Sequence, residues 1–106
     1  MKNTIITITI LTIMFRISFA QQNEIRSNIS GTLIDIETQQ AIPFVNIWLE
    51  GTTIGTTSDE NGFYTIKDIS VGRYTLVVKM IGYEQKSIAD ITVVPKRTTI
   101  VNIAMQ

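Results

Sequence analysis

Residues Gly51–Tyr83 read GTTIGTTSDENGFYTIKDISVGRYTLVVKMIGY, and this stretch decides the fold. Two threonine-rich steps, Gly51-Thr52 and Gly55-Thr56, lead into Asp59-Glu60-Asn61-Gly62. Asn and Gly tolerate positive φ, and the Asp59 side chain can bond back to the turn amides, so these four residues read as a turn. Strict alternation follows: Tyr64 and Ile66 are set against Phe63 and Thr65. After Gly72, Tyr74, Leu76, Val78 and Met80 alternate with Thr75, Val77 and Lys79. A period of two residues is the signature of half-buried strands, and the turn residues between them read as hairpin connections.

The same pattern extends in both directions. Upstream lie strands at 29–36 and 44–50, joined through Glu37-Thr38-Gln39-Gln40 and Pro43. In the second of these, Val45, Ile47 and Leu49 share a face opposite Asn46, Trp48 and Glu50. The threonine-rich 53–58 reads as a short edge strand. Downstream, strands at 87–94 and 98–105 flank Pro95-Lys96-Arg97, with Val101, Ile103 and Met105 expected inward. Together with 63–66 and 73–81 this makes seven strands, with turns at the ~8–12-residue spacing of sandwiches. The expected fold is all-β, a seven-stranded antiparallel β-sandwich.

Composition narrows the function. The chain has 106 residues, no cysteine and no histidine. Disulfides and thiolate metal sites are excluded, and so is every Ser-His or Cys-His pair. Nine basic and nine acidic residues leave no electrostatic footprint for nucleic acid. The N-terminus reads as an export signal. Lys2 precedes an apolar run from Ile5 to Phe15, and Ser18-Phe19-Ala20 places small residues where a signal peptidase cuts. The run is shorter than the ~20 residues of a spanning helix, which disfavours a membrane anchor. Cleavage after Ala20 removes Lys2 and Arg16. Seven basic and nine acidic residues then remain, a net charge of −2. Residues 21–28 are expected to be a flexible lead-in and 29–106 the folded domain.

Candidate sites are few. Asp59, Asn61 and Asp68 fall short of the six to eight oxygens that calcium takes, so a plain turn is the better reading and no metal site is assigned. Trp48 and Phe63 both fall on outward phases of their strands. They are the possible partner or glycan contacts, since exposed aromatics stack on sugars and proteins. The competing reading is that they cover the outside of a sheet. Arg73, Lys79 and Lys86 read as a solvated face. The carboxylates are scattered over separate turns, so no catalytic residue, cofactor or enzymatic activity is expected.

In order along 29–105 come Gly31-Thr32-Leu33-Ile34-Asp35, Ala41-Ile42-Pro43 before Val45-Asn46-Ile47, and Gly51-Thr52 through Gly55-Thr56. Asp59 with Gly62 and Tyr64, Gly72 with Tyr74-Thr75-Leu76, and Ile81-Gly82-Tyr83 complete the series. This ordered set resembles the carboxypeptidase-regulatory-like domain, a transthyretin-like sandwich. The nearest variant stands at the N-terminus of TonB-dependent outer-membrane receptors, including the starch-utilisation type. Two positions depart from that pattern: Thr38-Gln39-Gln40 replaces a turn that usually holds a glycine, and Phe44 sits where a small residue is common. The resemblance implies a non-enzymatic periplasmic accessory domain with a protein partner at the outer membrane. The alternative is a carbohydrate-binding module with Trp48 and Phe63 as its platform, which requires both rings exposed on one surface. A membrane barrel needs at least about eight strands of roughly ten residues, more than this chain holds beyond the sandwich. The expectation is therefore a free-standing domain or a truncated relative, not the transporter itself.

Overall fold

The computed structural model describes residues 25–106. The expected signal peptide, and residues 21–24 of the lead-in, lie outside the described residues. Among the described residues there are eight strands and no helix. They are β1 (Arg26–Asp35), β2 (Asn46–Leu49), β3 (Gly55–Thr57), β4 (Phe63–Ser70), β5 (Gly72–Lys79), β6 (Lys86–Val93), β7 (Thr99–Ile100) and β8 (Ile103–Met105). One sheet has the order β4-β1-β7, with β8 also on β1. The other runs β3-β2-β5-β6.

The alternation read from the sequence becomes the core. Val45, Ile47 and Leu49 are buried from one sheet, and Leu33, Tyr64 and Ile66 from the other. Leu76, Val78, Ile103 and Met105 close the same cluster. Each buried aliphatic side chain contributes about 1.5–3 kcal/mol relative to exposure. Val101, expected inward, is only partly buried and packs against the cluster's rim.

The strand expected at 63–66 runs on to Ser70, which leaves only Val71 before β5, and three further details differ from the expected plan. The first strand begins at Arg26, because Arg26 and Ser27 already pair with Ser70 and Ile69. A bulge then follows, in which Asn28 faces both Lys67 and Asp68 between the Ser27 and Ile29 pairs. Asp68 sits there at φ 57°, and its amide donates to Asn28 Oδ1 at 3.1 Å. Secondly, the sandwich is not wholly antiparallel, because β7 and β8 run parallel to β1. β6 ends at the end of the sandwich where β1 begins. The chain crosses between sheets there and re-enters alongside β1 in the same direction.

Thirdly, the last expected strand is divided in two. The register is the same on both sides of the gap, with Ser30 opposite Ile100 and Leu33 opposite Ile103. Between them the Thr32 amide donates to the Asn102 side-chain oxygen at 3.1 Å instead of to a main-chain carbonyl. A side chain has taken over one rung of the ladder. Gly31 makes this crossing possible: a Cβ there would lie 1.8 Å from the Val101 carbonyl oxygen. The same oxygen accepts the buried Tyr64 hydroxyl at 2.6 Å. Gly31→Ala is therefore expected to destabilise the domain by about 3 kcal/mol or more, as urea unfolding would measure.

Candidate functional site

Chain direction and register gather three connections at one end of the sandwich. These are residues 36–45 after β1, residues 58–62 before β4, and residues 80–85 after β5. Each is braced by polar side chains, of which the sequence marks only Asp59.

Ser58 is 2% exposed and has no apolar role. Its hydroxyl donates to the Ile42 carbonyl and accepts the Val45 amide, both at 2.9 Å. Its main chain takes the Phe44 amide and reaches the Val45 carbonyl, each at 3.0 Å. Four hydrogen bonds from one residue thus fix the Pro43-Phe44 corner. In the sequence Ser58 looked like the end of a threonine-rich strand, and nothing local marks it as buried. Removal of the hydroxyl leaves the Val45 amide unpaired, so Ser58→Ala should cost about 1–3 kcal/mol in a denaturant titration.

Asp35 ties the start of the 36–45 connection to the 80–85 connection. Its Oδ1 accepts the Glu37 and Thr38 amides at 2.8 and 3.1 Å. Its Oδ2 accepts the Tyr83 hydroxyl at 2.8 Å, 48 residues along the chain. Gly82 turns at φ 91°, a conformation only glycine adopts without strain, and this delivers Tyr83 to the carboxylate. The Tyr83 phenol, followed by the two amides, holds the Asp35 carboxyl below its ordinary 3.8. Reciprocally, the bond to Asp35 raises the Tyr83 phenol above its ordinary 10.0.

The signs give two pH limbs. A lowered carboxyl pKa stabilises the fold above pH 3.8, and that contribution is lost as pH falls below it. A raised phenol pKa stabilises the fold below pH 10.0, and that contribution is lost as pH climbs beyond it. Burial raises the Tyr64 phenol as well, which adds to the alkaline limb. Tyr83→Phe should therefore lower the urea midpoint at neutral pH and make both limbs shallower. Asp35 keeps its two amide bonds, so some acid dependence should remain.

The turn at 59–62 also consumes its own carboxylate. Asp59 Oδ1 accepts the Asn61 amide at 2.8 Å and the Phe63 amide at 3.0 Å. Asp68 lies in the β1–β4 bulge and does not join it. Among the described residues no three acidic side chains converge as a metal site would require. Of the basic residues read as a solvated face, Arg73 reaches Asp90 at 3.9 Å, and the Lys86 amine donates to the Ala104 carbonyl at 3.0 Å.

The two aromatic candidates are not brought together. Trp48 belongs to β2 and faces outward from the β3-β2-β5-β6 sheet. It is partly buried, beside its cross-strand partners Gly55 and Val77. A Cβ on Gly55 would come within 2.9 Å of the Trp48 Cβ, and Val77 is only 3% exposed although it points away from the core. Trp48 covers its sheet. Phe63 is 55% exposed and stands on β4 in the other sheet. The platform of Trp48 and Phe63 on one surface is thus corrected: a sandwich turns the outer faces of its two sheets away from each other. Phe63 instead borders a shallow neutral groove of about 420 Å³ with Ser30, Thr32, Ile100 and Asn102.

These features define a β-sandwich domain whose polar turn residues serve its architecture. The chain belongs to the CarboxypepD_reg-like domain family, whose sequence profile matches residues 29–106. Comparison with curated proteins gives no significant match. Among solved structures it is similar to a chain of a type II cohesin–X-dockerin complex from Acetivibrio cellulolyticus, a C-terminal interface mutant. The TM-score is 0.65 at 22% identity, over 74% of this chain. An N-terminal interface mutant of that complex gives 0.66 at the same identity and coverage. In both cases the match spans 56% of the solved chain, and at this identity it establishes the fold alone.

Proposed function

We propose that the protein is a non-enzymatic accessory domain that acts by protein–protein contact on the periplasmic side of an outer-membrane uptake system. The observation that carries this reading is family membership across the whole of residues 29–106. The chemistry of the acidic side chains supports it. Asp35 and Asp59 accept turn amides, which commits their oxygens to the fold. A site for acid–base work needs such groups facing a shared cleft. The solved chains of this fold come from an assembly between proteins, which is a precedent for such a sandwich in a complex. The particular setting, beside a TonB-dependent receptor, rests on the sequence resemblance.

Export is the first thing to test. Expressed at full length in a Gram-negative host, the protein is expected in the periplasmic fraction, with a mass that corresponds to loss of residues 1–20. An uncut chain in the cytoplasm would overturn the periplasmic reading. Photo-crosslinking from the exposed surface in the native organism should then trap an outer-membrane or periplasmic protein. A chain that stays monomeric under those conditions would count against the accessory role.

A further inference from the structure

Phe44 occupies a place where its chemistry costs stability twice. Its φ is 61°, in the left-handed region that crowds any side chain with a Cβ. The residue is 61% exposed, so much of its apolar surface stays in water. The fold gains nothing evident from either property, yet it enforces both. The Ser58 hydrogen bonds on either side of Phe44 hold the corner rigid. Strained residues held this way by a surrounding network occur preferentially at functional sites.

Phe44 is not isolated. In the β2–β5 ladder Asn46 pairs with Lys79, and Phe44 and Ile81 each lie two residues beyond that pair, at the same end. Ile81 is 95% exposed, on the turn that Gly82 and the Tyr83–Asp35 bond fix. Ile36 is 46% exposed and follows Asp35 directly. It borders a hollow of about 230 Å³ that Glu84 and Lys86 also line. Rigid apolar side chains on preorganised turns lose little entropy on binding, which is how interface anchors work.

Charge identifies the occupant. The connections 36–45, 58–62 and 80–85 contain Glu37, Asp59, Glu60 and Glu84, and although Lys79 and Lys86 border them, this end is net negative. All four are exposed. An anionic membrane surface would be repelled by this end, whereas a basic protein segment would be attracted. We infer that this end of the sandwich is a docking surface, with Phe44 and Ile81 as anchors, for a protein segment that presents apolar side chains flanked by lysine or arginine. The inference deepens the accessory-domain reading and rests on it.

The test uses a phage-displayed random peptide library panned on the full-length mature protein. Wild type should enrich peptides with an aromatic or aliphatic residue between basic ones. Phe44→Gly should weaken the best of these by at least about 30-fold. It should also raise the melting temperature, by about 4 °C, because glycine relieves the left-handed strain. Binding loss with gain of stability separates an anchor from a structural residue. Ile81→Ser should weaken binding too, while Ile100→Ser, on the β7 surface, should leave it unchanged. Enriched peptides that bind Phe44→Gly as tightly as wild type would overturn the docking surface and leave the accessory-domain reading standing. No enrichment, or enrichment of acidic peptides, would overturn the partner chemistry assigned here. A melting temperature that falls in Phe44→Gly would overturn the claim that Phe44 opposes the fold.

Discussion

The close approach of the last strand to the first at Gly31 is the constraint on which the rest of the domain depends. With no side chain at that point, the Val101 carbonyl can lie against β1 and accept the Tyr64 hydroxyl from β4. Three strands of one sheet are thereby joined at a single oxygen. That contact fixes the position of β8, and with it Ile103 and Met105, which complete the core against the facing sheet. It also brings the chain's last residues to the end of the sandwich where Asp35 and Tyr83 meet: the Glu84 amide donates to the Gln106 carbonyl.

The polar groups of the domain divide by location. At the loop end, Ser58, Asp35 and Asp59 each satisfy several amides or carbonyls that the strands leave open. The connections are consequently rigid although they carry little apolar mass. Of the five non-glycine residues with left-handed φ among the described residues, Asp68, Asp90 and Lys96 lie elsewhere and two lie at this end. Gln39 and Phe44 both adopt left-handed φ, at 62° and 61°. These are the two places where the sequence departs from the small or glycine residue that its family resemblance leads one to expect. Gln39 gains local compensation, since its side-chain amide donates to the Ile36 carbonyl at 2.9 Å. Phe44 has no comparable bond from its ring, and this asymmetry marks it out.

Much of the architecture was legible because strand alternation is a local property. The inward phases of Val45, Ile47, Leu49, Tyr64, Ile66, Leu76 and Val78 follow from parity alone, and so do the outward phases of Trp48 and Phe63. Parity does not say which sheet a strand joins. Trp48 and Phe63 therefore looked like possible neighbours, and the fold sets them on opposite faces. Val77 shows the converse limit: its phase is outward, yet Trp48 beside it on the next strand contributes to its burial. The turn at Asp59-Gly62 was readable because its hydrogen bonds close within five residues.

By itself the sequence determined the sandwich class, the approximate strand positions and most of their faces, the Asp59–Gly62 turn, the family, and the lack of histidine and cysteine chemistry. Each of these depends on residue type or on short-range periodicity, which any stretch of chain carries with it. Only the tertiary structure decided the parallel placement of β7 and β8 on β1, the burial of Ser58, and the Asp35–Tyr83 bond. It alone placed Phe44, Ile81 and Ile36 together at one acidic end. Those features join residues tens of positions apart, and their partners are set by which strands pair and in what direction. The physical reason is that burial and hydrogen-bond satisfaction are properties of the assembled sheets, and no local window of sequence contains both partners.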